Sequence, residues 1–387
     1  MGGAKSGTGR PVMRIAMLGH KRIPSREGGI EIVVEELAWR MAELGYDVTC
    51  YNRRGHHVAG SSFDTGITRG RYRGIRLKTV ATLDVRGAAA FTSSVLAALC
   101  AAFGPYDIVH FHAEGPCAMM WLPRLTGKRC IATIHGLDWS RSKWKSGFGA
   151  MYIKLGERCA VRFADEIIVL SDNVRQYFLR EYGRRTEMIP NGVSRPEKLP
   201  ANEITALYGL LGNDYILFLG RIVPEKGVRL LLEAFGGVKT SKKLVIAGGA
   251  SDTEEFVREL KQLAETDSRV IFTGFVQGSL LAELYSNAYL YTLPSELEGM
   301  PLSLLEAMSY GNCCLVSDIS ECTEVVEDHA AVCRKGSRES IRERLQYLCD
   351  HPEAVEAGRK GTADFICQKY SWDKTVDQTL ALYEGTK

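Results

Sequence analysis

The chain has 387 residues, of which 45% are hydrophobic and 25% charged, and its formal net charge is +3. This length exceeds what one ordinary hydrophobic core supports, so the sequence predicts about two domains of a globular protein. The 11 cysteines are odd in number and include no Cys-x-x-Cys pair, which argues against a disulfide framework or a zinc ribbon and favours a reducing, cytoplasmic location.

Two segments of the first third resemble targeting or membrane signals. Residues 1–6 match an N-myristoylation pattern, but residues 13–19 indicate a first buried strand rather than the apolar core of a signal peptide. Residues 87–106 carry no charge, yet polar residues, glycine and proline interrupt the apolar run. We expect this second segment to form a buried helix packed on a sheet.

Short apolar runs alternate with amphipathic stretches in both halves of the chain, which is typical of βαβ units on parallel sheets. The first half contains predicted strands at residues 14–18, 47–51, 108–111, 130–134 and 166–170, with a helical pattern at 30–44. The second half contains predicted strands at 215–219, 243–247, 269–272, 289–293 and 313–316. The pattern predicts an α/β protein with two Rossmann-like domains and a ligand in the cleft between them.

The predicted boundary between the domains lies in residues 189–200, which contain three prolines and an Asn-Gly turn. We expect a first domain at 13–193, a second at 206–366 and a terminal helix within 367–387. A helical pattern introduced by Tyr370-Ser-Trp372 marks that last helix.

The charge is distributed unevenly between the halves. Residues 1–200 hold 30 Lys and Arg against 18 Asp and Glu, whereas residues 201–387 hold 19 against 28. A basic first domain fits an anionic membrane surface or a lipid-linked pyrophosphate, although a solvated basic domain has the same composition. Basic and aromatic residues alternate at 69–76 and 139–145, which favours a membrane surface or solvated loops, and no signature predicts nucleic-acid binding.

Two glutamates eight residues apart are the most informative feature of the chain. Pro301 suits the first position of a helix and Gly311 its C′ end, so Glu298 belongs to a loop and Glu306 to the helix. The free N–H groups of the first turn are predicted at Met300, Leu302 and Ser303. An anion site between two hydroxyl-binding carboxylates suits a nucleotide sugar, although a helix with one solvated face produces the same spacing.

Other candidate residues follow predicted strands. Arg221 and Lys226 follow the first strand of the second half, where two cations can neutralise a departing diphosphate or form a solvated surface pair. Gly28 and Gly29 follow the first strand of the chain, where they permit close approach of a ligand or form a tight turn. The dinucleotide fingerprint is absent there, and no Asp-x-Asp pair predicts a metal site.

Histidines mark two further strands. His135 ends the strand at 130–134, so it should point into the cleft. His110 and His112 lie on one face of the strand at 108–111, where they pack structurally or, for His112, line the acceptor side.

Taken together, these segments resemble the retaining glycosyltransferases of family 4, whose Glu-x7-Glu motif matches Glu298 and Glu306. The resemblance covers residues 13–383, with the glycine pair, His135, the two cations and the two glutamates in the family's order. It implies the GT-B fold, in which two Rossmann-like domains face each other across a cleft and a C-terminal helix crosses back to the first domain.

The resemblance also implies roles for individual residues. Catalytic positions correspond to His135, Arg221, Lys226 and Glu298. Donor-binding positions correspond to Gly28, Gly29, Phe275, Val276, Gly299, Met300, Pro301, Leu302 and Glu306. In this scheme Glu298 contacts hydroxyls of the donor sugar and Glu306 contacts the ribose. The two cations contact the diphosphate, and the turn at 275–276 contacts the nucleobase.

The function implied is transfer of a sugar from a nucleoside diphosphate sugar to a hydroxyl acceptor, without metal or cofactor. The departing phosphate would help to deprotonate the acceptor on the front face, so no side chain need act as the base. The segments Gly28-Gly-Ile-Glu31 and Gly136-Leu-Asp-Trp139 are similar to those of bacterial members that build envelope polysaccharides, which implies a lipid-linked acceptor and peripheral membrane contact. A nucleotide-sugar epimerase of the same fold and a non-catalytic sugar-nucleotide-binding subunit are the alternatives.

Overall fold

The computed structural model describes residues 12–55, 70–83, 88–137, 139, 147–250 and 253–385. Within these ranges the chain forms two sheets, each flanked by helices. In this described part of the chain the first sheet has eight strands and the second has six. Neighbouring strands are parallel except for one antiparallel pair at the edge of the first sheet.

The first sheet and its helices occupy the N-terminal half. The strands are β1 (Arg14–Leu18), β2 (Asp47–Arg53), β3 (Gly70–Tyr72), β4 (Ile75–Val80), β5 (Ile108–His112), β6 (Arg129–Ile134), β7 (Glu166–Val169) and β8 (Glu187–Met188). The helices are α1 (Gly29–Glu43), α2 (Ala88–Phe103), α3 (Trp121–Leu125), α4 (Phe148–Phe163) and α5 (Asp172–Tyr182).

The second sheet and its helices follow. The strands are β9 (Tyr215–Leu219), β10 (Lys243–Ala247), β11 (Val270–Gly274), β12 (Leu290–Leu293), β13 (Cys314–Ser317) and β14 (Ala331–Cys333). Its helices are α6 (Glu203–Tyr208), α7 (Val228–Phe235), α8 (Glu254–Ala264), α9 (Gly278–Asn287), α10 (Leu302–Ser309), α11 (Ser320–Val326), α12 (Arg338–Asp350), α13 (Pro352–Arg359) and α14 (Thr362–Lys369). The terminal helix is α15 (Trp372–Glu384).

Both faces of the first sheet are covered, as a parallel sheet requires. Side chains alternate along β1, so Ile15 and Met17 pack into one hydrophobic cluster and Ala16 and Leu18 into another. The first cluster includes α1 and the terminal helix α15, whereas the second includes α2, α4 and α5. The second sheet has a separate core.

The terminal helix therefore returns to the first domain, as the predicted fold requires. It begins at Trp372, where the segment Tyr370-Ser-Trp372 predicts its start, and a break separates it from residues 362–369, which form the separate helix α14. Ser371 caps α15 by accepting a hydrogen bond from the N–H of Lys374. At this break the N–H of Val193 donates to the carbonyl of Tyr370 over 3.0 Å, so the two crossings between the domains lie side by side.

The predictions for residues 87–106 and 69–76 differ in how well they agree with the structure. The uncharged segment contains α2, which buries an Ala- and Ser-rich face, as predicted. Residues 70–76 lie in the β3–β4 hairpin rather than in an open basic loop, because Ile75 and Leu77 alternate inward. In that hairpin Arg76 pairs with Asp47 at 3.3 Å.

The remaining targeting and membrane predictions fall mostly outside the described residues. These include the myristoylation pattern, Arg69 and residues 140–146. Within the described ranges, no helix combines the length and apolar character needed to cross a membrane.

The strand orders fix where a ligand can bind. The first sheet has the order β3-β4-β2-β1-β5-β6-β7-β8, with β3 antiparallel to β4, and this order reverses between β1 and β5. The second sheet has the order β11-β10-β9-β12-β13-β14, which reverses between β9 and β12. Loops diverge at such reversals, and open α/β sheets bind ligands there, outside the carboxyl ends of the strands.

Candidate active site

The loops that follow β9 and β12 meet at the reversal point of the second sheet. Glu298 Oε1 lies 2.5 Å from Lys226 Nζ, and these side chains are only 8% and 12% exposed. Lys226 ends a short 3-10 turn, Pro224–Lys226, and the N–H of Glu296 donates to the carbonyl of Glu225 over 2.8 Å. The predicted sugar-binding and diphosphate-binding side chains thus contact each other as a nearly buried ion pair.

Gly227 allows this contact between the loops. It has φ +71°, and a β-carbon at this position would lie 2.2 Å from the carbonyl oxygen of Pro294. Only glycine satisfies both conditions, because other residues add strain at positive φ and a clash with the neighbouring backbone. The tight turn after Lys226 is therefore part of what holds Lys226 against Glu298.

Helix α10 begins one residue later than predicted. Pro301 has extended backbone, with φ −76° and ψ 101°, and lies just before the helix rather than in its first position. Its carbonyl accepts the N–H groups of Leu304 and Leu305 at 3.1 and 3.2 Å. In the described structure the N–H groups of Leu302 and Ser303 have no hydrogen-bond acceptor, so they form the open end of the helix.

Met300 does not belong to this helical turn, contrary to the prediction. It is buried, and its sulfur accepts the N–H of Asn191 over 3.1 Å. Met300 thus attaches the loop before α10 to the crossing segment between the domains, while the helix end itself remains suited to bind an anion.

Glu306 has a different environment from Glu298. The hydroxyl of Tyr285 donates to Glu306 Oε2 over 3.1 Å, and Arg26 from the first domain donates to Oε1 over 3.4 Å. Burial raises the pKa of Glu306, and the Arg26 charge and the Tyr285 hydrogen bond partly oppose that rise. Neither partner was predicted from the sequence, although Arg26 is a cation two residues before the predicted glycine pair.

Gly299 brings the two domains into direct contact. A β-carbon at Gly299 would lie only 1.7 Å from the carbonyl oxygen of His135. His135 follows the last residue of β6, as predicted, and its side chain is half-buried. The loop that carries Glu298 therefore lies directly against the edge of the first sheet.

The glycine pair lies on the opposite wall of the cleft. Gly28 caps α1, and a β-carbon there would lie 2.3 Å from Glu31 Oε2. A β-carbon at Gly29 would lie 3.6 Å from Leu302 Cδ1, so the N-terminus of α1 faces that of α10 across the cleft. Glu31 in turn accepts the backbone N–H of Lys21 over 2.9 Å, which fixes the loop after β1.

The other predicted donor-binding residues lie along the same edge of the second sheet. Arg221 is half-buried two residues after β9, and the N–H of Ile222 donates to the carbonyl of Gly249 after β10. Phe275 and Val276 follow β11, with Phe275 packed beside Gly249. Val276 is buried in the core, so this residue can present only its backbone to a nucleobase.

Histidines line the corresponding edge of the first sheet. His110 and His112 share one face of β5, with ring centroids 4.1 Å apart. His110 contacts Thr133 Oγ1 and the hydroxyl of Tyr383, whereas His112 Nδ1 lies 3.1 Å from His135 Nε2. Since His112 is fully buried, it lies beneath His135 rather than on an open acceptor surface.

Two family models match this chain. The Glycosyltransferase Family 4 model matches residues 27–195, and the Glycosyl transferases group 1 model matches residues 209–363. The chain belongs to glycosyltransferase family 4. The family prediction is therefore confirmed, and the protein is an enzyme of the hexosyltransferase type.

Known relatives extend over the same region. The α-maltose-1-phosphate synthase of Mycolicibacterium smegmatis is 27% identical over 406 residues, covering 96% of this chain and 99% of that protein. The O-antigen chain mannosyltransferase B of Escherichia coli is 28% identical over 182 residues, covering 46% of this chain and 47% of that protein. HepE of Anabaena, solved in complex with UDP and glucose, has a TM-score of 0.80 at 16% identity and covers 96% of this chain and 100% of its own. The GT-B fold prediction is confirmed.

Proposed function

We propose that this glycosyltransferase transfers a sugar from a nucleoside diphosphate sugar to a hydroxyl acceptor with retention of anomeric configuration, in the synthesis of a cell-envelope polysaccharide or lipid-linked oligosaccharide. The observation that carries the proposal is the convergence of Lys226, Glu298 and the open N-terminus of α10 at one point of the cleft. His135 approaches the same point from the first domain.

The donor would bind along the edge of the second sheet. The diphosphate would lie between Arg221, Lys226 and the N–H groups of Leu302 and Ser303, where fixed charges and the helix dipole favour an anion. Glu306, four residues further along α10, would accept hydroxyls of the ribose. HepE, which shares this fold, was solved in complex with UDP, and this supports a nucleotide as part of the donor.

The sugar would extend from the diphosphate toward His135, with Glu298 accepting its hydroxyls. In the proposed step the bond between the anomeric carbon and the departing phosphate oxygen breaks, and the acceptor oxygen bonds to that carbon on the same face. The acceptor proton passes to the departing phosphate. Lys226 and Arg221 stabilise the charge that develops on the diphosphate, so the scheme needs no metal.

The proposed envelope role rests on the similarity to O-antigen chain mannosyltransferase B and on the basic first half of the chain. Helix α3 packs beside α2 and α4. On these helices Phe103, Leu125 and Met151 are 81%, 76% and 67% exposed to solvent. Apolar side chains on a basic domain suit peripheral contact with an anionic membrane. Cosedimentation with anionic but not neutral vesicles is the expected result.

The first experiment measures thermal stabilisation by UDP, GDP, ADP and dTDP, with Arg221→Ala as the matched variant. A rise in melting temperature with one of these nucleotides, absent in the Arg221→Ala variant, would identify the donor nucleotide. Transfer from the corresponding nucleotide sugars is then assayed with and without EDTA, and NMR of the product reports its anomeric configuration. Inversion, or activity abolished by EDTA, would contradict the proposed mechanism.

Two outcomes would redirect the assignment. A changed sugar formed from the donor without any acceptor would identify an epimerase. Nucleotide binding without turnover across the sugar panel, together with unchanged cellular polysaccharide in a Glu298→Gln strain, would favour a non-catalytic subunit.

A further inference from the structure

A chain of ring contacts connects the terminal helix with the cleft. His110 lies 2.6 Å from the Tyr383 hydroxyl through Nδ1 and 2.7 Å from Thr133 Oγ1 through Nε2. His112 stacks beside His110, and its Nδ1 lies 3.1 Å from Nε2 of His135. His135 is thus supported from below by a fully buried imidazole.

The backbone around His112 leaves this ring little freedom. A β-carbon at Gly19 would lie 2.1 Å from the carbonyl oxygen of His112, so the loop after β1 packs directly on it. Ala113 has φ +75°, a strained value for a residue with a β-carbon, and its N–H donates to the carbonyl of Thr133 over 2.9 Å. Such strain persists only where the surrounding structure fixes the chain.

The protonation of His112 follows from its surroundings. Burial lowers the pKa of His112 well below its usual value, and His110, His135 and His20 lower it further, so the ring is neutral at pH 7. Its Nε2 is buried and has no hydrogen-bond partner in the described part of the chain. A proton on Nε2 would bury an N–H without an acceptor, whereas a proton on Nδ1 has His135 within reach.

We propose that His112 is a positioning residue that donates its Nδ1–H to Nε2 of His135 and so fixes the proton of His135 on Nδ1. A nitrogen that accepts this hydrogen bond carries no proton itself, so the remaining nitrogen of His135 must be the donor. His135 then offers an N–H to an oxygen of the donor sugar or its phosphate. This role in catalysis rests on the proposed function, whereas the tautomer itself does not.

The direct test is ¹⁵N NMR of the full-length protein labelled at its histidines, which separates protonated from unprotonated ring nitrogens. His135→Asn and His112→Asn variants assign the resonances. We expect the proton of His135 on Nδ1 and that of His112 on Nδ1 at pH 7. A His135 proton on Nε2 would overturn the proposal, even if no sugar transfer were ever detected.

A kinetic test uses two isosteric variants of the same residue. Asparagine at position 112 places its amide near the position of Nδ1, whereas glutamine places it near that of Nε2. We expect His112→Asn to keep kcat/KM within about threefold and His112→Gln to lose about tenfold to a hundredfold, as for small misplacements of a catalytic group. The loss should fall mainly on kcat, because the nucleotide contacts lie in the second domain.

His110→Asn is the matched control, since His110 has the same strand, face and burial, but its two ring nitrogens contact Tyr383 and Thr133 rather than His135. It should lower thermal stability through its lost contacts, with kcat/KM within about threefold of wild type. Equal losses of kcat/KM in His110→Asn and His112→Gln, or in both variants of His112, would show that the histidines act only through packing and would refute the positioning role.

Discussion

The ion pair between Lys226 and Glu298 allows a quantitative test of the site. At 2.5 Å and an effective dielectric constant of about 20, its gross attraction is roughly 6 to 7 kcal/mol. Desolvation offsets much of this, but removing one partner leaves the other charge nearly buried. We therefore expect Lys226→Met or Glu298→Gln to lower the free energy of unfolding by about 3 kcal/mol, the lower end of the range for broken buried pairs.

The assay is a double-mutant cycle in urea without ligand. Because the double variant removes both charges, it should be more stable than the sum of the single losses predicts, with a coupling energy of about 2 kcal/mol. Arg229 and Glu259 form an exposed pair that serves as the control, and its coupling should stay below about 1 kcal/mol. A coupling energy for Lys226 and Glu298 no larger than that of the exposed pair would show that the two charges do not form a buried ion pair.

Further predictions concern the contact between the domains and the buried histidines. Gly299→Ala should reduce transfer at least roughly a hundredfold, because its β-carbon cannot fit against the His135 carbonyl 1.7 Å away; unchanged steady-state rates would contradict this. Burial lowers the pKa of His20 to about 4 and of His110 to about 3, so the folded state binds fewer protons than the unfolded chain below pH 6.5. Stability should therefore fall by up to about 1.4 kcal/mol per pH unit for each histidine between pH 6.5 and 4, and equal urea midpoints at pH 7 and 5 would exclude it. Tyr383→Phe should cost about 1 to 3 kcal/mol in urea unfolding, because it leaves a buried nitrogen of His110 without its partner, and no change would show that the bond is absent.

The sheets were predictable because their central strands are buried on both faces and appear in the sequence as short continuous apolar runs. Strands β1, β9 and β10 begin and end at the predicted residues. Strand β4 was missed because Arg76 and Lys78 alternate with buried Ile75 and Leu77, so a half-buried strand resembled a basic loop. Strands β3, β8 and β14 have only two or three residues, which is too short for a periodic signal.

The site was less predictable than the sheets because its contacts are distant in the sequence. The motif identifies Glu298 and Glu306, but not that Lys226 pairs with Glu298 across 72 positions or Arg26 with Glu306 across 280. Helix α10 begins one residue later than predicted because proline fixes φ but leaves ψ free, and Pro301 adopts an extended ψ. Local rules place residues on elements, whereas tertiary packing decides which of those residues meet.

The two glutamates of the motif differ physically even though one short segment carries both. Glu298 lies in the loop at the reversal point and contacts a cation of its own domain, so a donor sugar bound there as proposed would share or displace an existing ion pair. Glu306 lies in the helix, where burial raises its pKa and its cationic partner comes from the opposite domain. Occupation of the ribose position would therefore alter a contact between the domains, whereas occupation of the sugar position would alter a contact within one. Gly299 directly follows Glu298 and lies against the His135 carbonyl, so this short segment contacts the first domain both at Gly299 and at Glu306.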